Sequence, residues 1–162
     1  MNFPPSQRHI SQQVILEHAQ KPRHRGKTNP IHLSQEQNNP YCGDIVQLTI
    51  ELDSTGDLIK DIKFEGRGCA VSMASADLMA EVLRGKTITE SLLIIQDFLN
   101  LIQGNYQFNQ PFEKLNVFTT IVQFPIRMKC AALSWSTLET ALKSYLHNPI
   151  LIECERRSHL SS

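Results

Sequence analysis

A chain of 162 residues with 41% apolar side chains can bury one ordinary hydrophobic core but is short for two. Sixteen basic and sixteen acidic residues cancel, so no global field draws the chain to nucleic acid or an anionic bilayer, and partners must be recognised locally. No apolar run nears the roughly 20 residues that span a bilayer, and the opening Met1-Asn2-Phe3-Pro4-Pro5-Ser6 lacks the charged-then-apolar order of a secretory signal. The expectation is a cytoplasmic protein with neither membrane nor nucleic-acid partners.

Ile10, Val14, Ile15 and His18 or Ala19 recur at helical spacing, and Pro22 within a basic stretch stops that first helix. The polar text from Ile31 to Asn39 holds one short extended segment, and Pro40 favours extended backbone at the residue before it. Val46, Leu48, Ile50 and Leu52 alternate with polar neighbours, 53–57 reads as a turn, and Ile62 and Phe64 resume the alternation, which is the pattern of a β-hairpin. Gly66-Arg67-Gly68 breaks that strand. Val71, Ala74, Leu78 and Val82 then mark a helix that stops at Gly85, and a further helix fits Ile88 to about Ile102. The stretch 103–124 carries no assignable pattern. Beyond Pro125, the residues Ala132, Trp135, Leu138, Leu142 and Tyr145 trace the apolar face of a last long helix, with Trp135 expected in the core. The order predicts an α+β fold, a small antiparallel three-stranded sheet packed against several helices. One domain is expected over 1–147, with 148–162 as a tail.

Four cysteines in a chain without a secretory opening read as thiols or metal ligands rather than a disulfide framework. Cys69 and Cys130 are both placed at helix starts, where unpaired N–H groups and the helix dipole favour a thiolate. Cys42 lies in Pro40-Tyr41-Cys42-Gly43-Asp44, where Gly43 allows a tight loop and Asp44 adds a carboxylate. Three soft sulfurs and one hard oxygen suit tetrahedral zinc. The spacing is not that of a zinc finger, and on residue chemistry alone three buried, unligated cysteines are an equally good reading. Cys154, in the polar Glu153-Cys154-Glu155-Arg156-Arg157, is read as an incidental thiol. The six histidines show no metal-ligand spacing and are read as structural or surface residues.

Asn39-Pro40-Tyr41-Cys42-Gly43-Asp44, the run Gly66-Arg67-Gly68-Cys69-Ala70-Val71-Ser72-Met73-Ala74-Ser75, Arg84-Gly85-Lys86-Thr87 and Arg127-Met128-Lys129-Cys130-Ala131-Ala132-Leu133-Ser134-Trp135 resemble, in that order, the signatures of the SufU and IscU family of iron–sulfur assembly proteins. The resemblance extends over roughly residues 10 to 145. Lys129, where IscU-type chains carry histidine, and the long interval between Gly85 and Cys130 incline it to the SufU branch. Tyr41 departs from the small hydroxyl residue expected before the first cysteine.

The resemblance implies zinc on Cys42, Asp44, Cys69 and Cys130, with Cys42 accepting sulfur from the persulfide of a cysteine desulfurase. Arg127 and Lys129 are candidates to offset the formal charge of about minus two that three thiolates and a carboxylate leave around Zn²⁺, whereas Arg67 reads as a solvated surface charge. The chain is expected to be a monomer or weak homo-oligomer. The alternative is a scaffold carrying a transient [2Fe–2S] cluster on the same cysteines.

Overall fold

The apolar alternation seen in the sequence builds a sheet whose buried face is Val46, Leu48, Ile50, Leu52, Ile59, Ile62 and Phe64. In the computed structural model, which describes residues 5–148, strands β1 (Leu33–Asn39), β2 (Asp44–Leu52) and β3 (Ile59–Arg67) pair antiparallel in the order β1-β2-β3. A register shift beside Glu51 and Leu52 opposes Leu52 to Ile59 and Glu51 to Asp61, so Lys60 is the extra residue. That bulge turns Ile59 inward although it is out of phase with Ile62 and Phe64. β3 also runs on through Gly66 to Arg67 rather than breaking there. Gly66 holds φ +142°, and a Cβ at that position would strike the Ile45 carbonyl.

The α-helices are α1 (Pro5–Gln20), α2 (Ala70–Leu83), α3 (Ile88–Leu101) and α4 (Pro125–His147). α1 begins a turn before its apolar stripe. Ile15 and His18 are buried, whereas Ile10 is exposed. Cys69 caps α2, and Gly85 follows its C-cap with φ +86°, the left-handed conformation expected of a helix stop. Thr87 caps α3 by accepting the Glu90 N–H at 3.1 Å.

The unassigned 103–124 stretch contains a 3₁₀ helix, Glu113–Ile121, whose Leu115, Phe118 and Ile121 are buried. Asn116 holds the approach by exchanging hydrogen bonds with the Phe108 backbone at 2.9 Å. Phe118 packs edge-on to Phe98, which stacks on Trp135 at 4.0 Å between centroids. Trp135 is fully buried, as its place in the stripe predicts. The α+β architecture and the three-stranded antiparallel sheet are therefore as the sequence indicates.

The register places the cysteine-bearing segments together. Asn39 pairs with Asp44 and Ile45 pairs with Arg67, so the β1–β2 turn holding Cys42 and the β3–α2 junction holding Cys69 emerge at the same end of the sheet. α4 packs on β1, β2 and α2 and brings Cys130 to that end. The tail beyond Asn148, with Cys154, lies outside the described residues. Among the described residues, no helix is long and apolar enough to cross a membrane.

Candidate metal and sulfur site

Cys42, Asp44 and Cys130 each offer a ligand atom, and these atoms all lie within 4.8 Å of one another. Their placement follows from the local chain. Asn39 closes the β1–β2 turn by accepting the Gly43 N–H on its carbonyl at 2.9 Å and the Tyr41 N–H on its side chain at 3.1 Å. Gly43, at φ +70°, makes the reversal that points Cys42 back toward Asp44, the first residue of β2. The Cys42 thiol then donates to Asp44 Oδ2 at 2.9 Å and lies 3.1 Å from Cys130 Sγ.

Asp44 is almost wholly buried and serves two partners. Its Oδ1 accepts the Cys69 N–H at 3.1 Å while its Oδ2 faces Cys42. Gly68 makes this approach feasible, because a Cβ there would lie 2.5 Å from Asp44 Oδ1 and would also strike the Ser72 hydroxyl. The requirement at Gly68 is therefore for space.

Cys69 stands outside the tight group of three. As the N-cap of α2 its sulfur accepts the Ser72 N–H at 3.5 Å. Burial pushes its thiol up, but the Ser72 N–H, with smaller contributions from the Ser72 hydroxyl and Cys130, outweighs this and the net direction is down. Cys130 departs from its expected setting. α4 begins at Pro125, so Cys130 lies in the second helical turn and not at the helix N-terminus. It is fully buried, and burial, followed by hydrogen bonding with Cys42 and Asp44, raises its thiol strongly. Cys42 is half-buried and also raised, by burial first and then by Asp44.

Arg127, one helical turn before Cys130, faces the sulfurs. Hydrogen bonding and charge attraction to Cys69, then to Cys130, favour its guanidinium form. It also contributes to the wall of a cleft of about 860 Å³ between α1, the 103–124 stretch and the start of α4. Lys129 is exposed and engages another partner, its Nζ lying 3.8 Å from the centroid of the Tyr41 ring. Arg67 is exposed, as expected of a surface charge.

The donor set fits a thiophilic cation that also accepts oxygen. Tetrahedral zinc with sulfur at ~2.3 Å needs its sulfurs about 3.8 Å apart. Cys42 and Cys130, at 3.1 Å, reach that separation by small side-chain rotations. The raised thiols require that any metal displace protons from Cys42 and Cys130 on binding.

Two supporting residues escape a cysteine-centred reading. Ser75 donates to the Ala131 carbonyl at 2.7 Å and accepts the Trp135 indole N–H at 2.9 Å, locking α2 to α4 beside Cys130. Fully buried Asp77 takes His18 Nδ1 at 2.6 Å and the Arg23 and His24 N–H groups at 2.9 Å, pinning the exit of α1 to α2. His32 likewise acts structurally, its ring accepting the Leu52 N–H at 2.8 Å. The signal for Ser75 and Asp77 is a polar side chain inside an otherwise apolar helix face, which demands a buried partner.

The family described as NifU-like N-terminal domain matches residues 10–150. The zinc-dependent sulfurtransferase SufU of Bacillus subtilis (strain 168) is 40% identical over 131 residues, which cover 80% of this chain and 87% of that protein. The iron–sulfur cluster assembly scaffold protein IscU of Streptococcus pyogenes serotype M1 is 35% identical over 138 residues, covering 83% of this chain and 84% of that one. A crystal structure from the thermophile Fervidobacterium islandicum AW-1, described as a candidate iron–sulfur cluster assembly scaffold for the SUF system, superposes with a TM-score of 0.74 at 36% identity, covering 83% of this chain and 98% of that one.

Proposed function

The chain belongs to the NifU-like N-terminal domain family of iron–sulfur cluster assembly proteins, and from that premise we propose that it is a zinc-dependent acceptor of persulfide sulfur from a cysteine desulfurase. The observation that carries this reading is the asymmetry within the close group. Cys42 is half-buried in a glycine-bearing turn, beside a buried carboxylate and a fully buried second sulfur. One sulfur is reachable, and its neighbours are positioned to retain a cation when it leaves.

In this reading Cys42, Asp44, Cys69 and Cys130 would hold zinc, which would supply the positive charge that keeps the sulfurs deprotonated. The Cys42 thiolate attacks the outer sulfur of the desulfurase persulfide. The bond between the two donor sulfurs breaks as the Cys42 S–S bond forms, and the donor cysteine departs as a thiolate, so no external oxidant or reductant is needed. Asp44 keeps its grip on the Cys69 N–H throughout, which fixes the start of α2 while the Cys42 side chain moves. Arg127 provides positive charge beside Cys69 and Cys130.

Desulfurase turnover with cysteine tests the proposal. Addition of this protein is expected to stimulate turnover, and Cys42→Ala is expected to abolish the stimulation. As purified, the protein should hold about one zinc. Stoichiometric iron and sulfide retained through aerobic purification, with no stimulation of the desulfurase, would instead favour the scaffold role carried in the names of the Streptococcus and Fervidobacterium relatives.

A further inference from the structure

The Cys42 turn is tied to α4 at two adjacent points. Cys42 Sγ lies 3.1 Å from Cys130 Sγ, and one residue earlier on each segment the Tyr41 ring meets the Lys129 ammonium at 3.8 Å. The second contact involves both side chains that set the site apart by sequence, the bulky residue before the first cysteine and the lysine before the last. Tyr41 is 71% exposed, so hydrophobic burial does not explain the ring's position. A ring stacked under an ammonium has a defined attraction, strongest over the ring face and independent of the phenol hydroxyl.

We propose that Tyr41 and Lys129 form a positioning clasp that holds the Cys42-bearing turn against α4, so that the clasp sets how readily Cys42 parts from Cys130. The clasp acts on the backbone rather than on the reacting sulfur. Tyr41 immediately precedes Cys42 in the turn that Asn39 closes, so the ring's position bears on Cys42 through the shared backbone. With the clasp closed, Cys42 leaves Cys130 only by rotation of its own side chain. With it open, the tip of the turn can lift as a unit about Gly43, whose Cβ position has nothing within 4 Å. The functional meaning, control over when the acceptor sulfur becomes available, rests on the reading of Cys42 as acceptor, but the physical claim does not.

Competitive alkylation of the protein as purified tests the clasp without a desulfurase. Iodoacetamide labelling of Cys42 and Cys69 is followed by peptide mass spectrometry, with zinc content measured in parallel. Tyr41→Thr is expected to raise the Cys42 labelling rate roughly two- to fivefold, the range an exposed cation–π contact supports, with the Cys69 rate unchanged. Tyr41→Phe keeps the ring and is expected to label at the wild-type rate. In a Lys129→Met background, Tyr41→Thr is expected to change the Cys42 rate no further, because the contact it would remove is already gone. An unchanged Cys42 rate in Tyr41→Thr, a Tyr41→Phe protein that behaves like Tyr41→Thr, or an undiminished Tyr41 effect in the Lys129→Met background would each overturn the clasp. Those outcomes leave the acceptor role itself untouched, since that role is read by sulfur transfer.

Discussion

The starts of α2 and α4 each deliver a cysteine to one end of the sheet, yet they prepare the sulfur in opposite ways. Cys69 is the cap of its helix, half-buried, with the Ser72 N–H aimed at its sulfur and its thiol shifted down. Cys130 lies one turn inside its helix, where its backbone N–H is already committed, and it is fully buried with its thiol shifted up. Position relative to a helix end therefore decides whether the backbone itself stabilises a thiolate. Local structure thus favours the thiolate at Cys69, whereas burial favours the protonated thiol at Cys130 and Cys42.

The largest expected effect follows from removing the buried sulfur of the close group. Cys130→Ala should retain less than about a tenth of the wild-type zinc by elemental analysis. Loss of a ligand held ~1,000-fold above its dissociation constant removes about 4 kcal/mol. For a domain of this size that corresponds to a melting midpoint lower by roughly 10–15 °C. Cys69→Ala should retain more zinc than Cys130→Ala, and the reverse order would break the contrast between the two helix starts. Zinc uptake must displace the protons that burial and Asp44 keep on Cys42 and Cys130, so retention should weaken as pH falls; retention that improves in acid would contradict this.

Next in size is Gly68→Ala, where the added methyl group must push Asp44 or Ser72 aside. Disturbing a ligand's support commonly costs 10–100-fold in metal affinity, and a loss in that range is expected by competition with a chromogenic chelator. Unchanged affinity would show that the space at Gly68 is not needed to hold the metal. The contrast between the helix starts is sharpened further in zinc-stripped protein. Cys69, with its thiol depressed, should become reactive to iodoacetamide at lower pH than Cys42 or Cys130, whose thiols are raised. Mass-spectrometric labelling over a pH series reads this order directly. The smallest effect belongs to Ser72→Ala, which keeps the backbone N–H but loses the hydroxyl 3.7 Å from the Cys69 sulfur. Cys69 labelling at neutral pH should slow by about two- to threefold, consistent with a modest hydrogen-bond contribution.

Much of the fold is legible in the sequence because alternation along Val46 to Leu52 and helical spacing from Val71 to Val82 are local patterns. The β3 bulge at Lys60 and the 3₁₀ helix at 113–121 are not, since one depends on cross-strand register and the other on anchoring by Phe118 against Phe98. At the site, the candidate ligands were identifiable by motif and the cap at Cys69 by its following helix. The setting of Cys130 is not legible, because Pro125 stands inside α4 as its first residue, as proline at N1 allows, and so moves the helix start a turn ahead of the cysteine. The link between Tyr41 and Lys129 joins residues 88 positions apart in the chain, as does that between Cys42 and Cys130, and only the fold reveals it.

The central claim is that the half-buried sulfur of the close group, Cys42, receives the transferred atom. It is tested most directly by incubating the protein with a cysteine desulfurase and cysteine, trapping persulfides by alkylation, and locating them by mass spectrometry. The account predicts the extra sulfur on Cys42, with none trapped in the Cys42→Ala protein. Persulfide on Cys69 or Cys154 in the wild type, or undiminished transfer to Cys42→Ala, would contradict it.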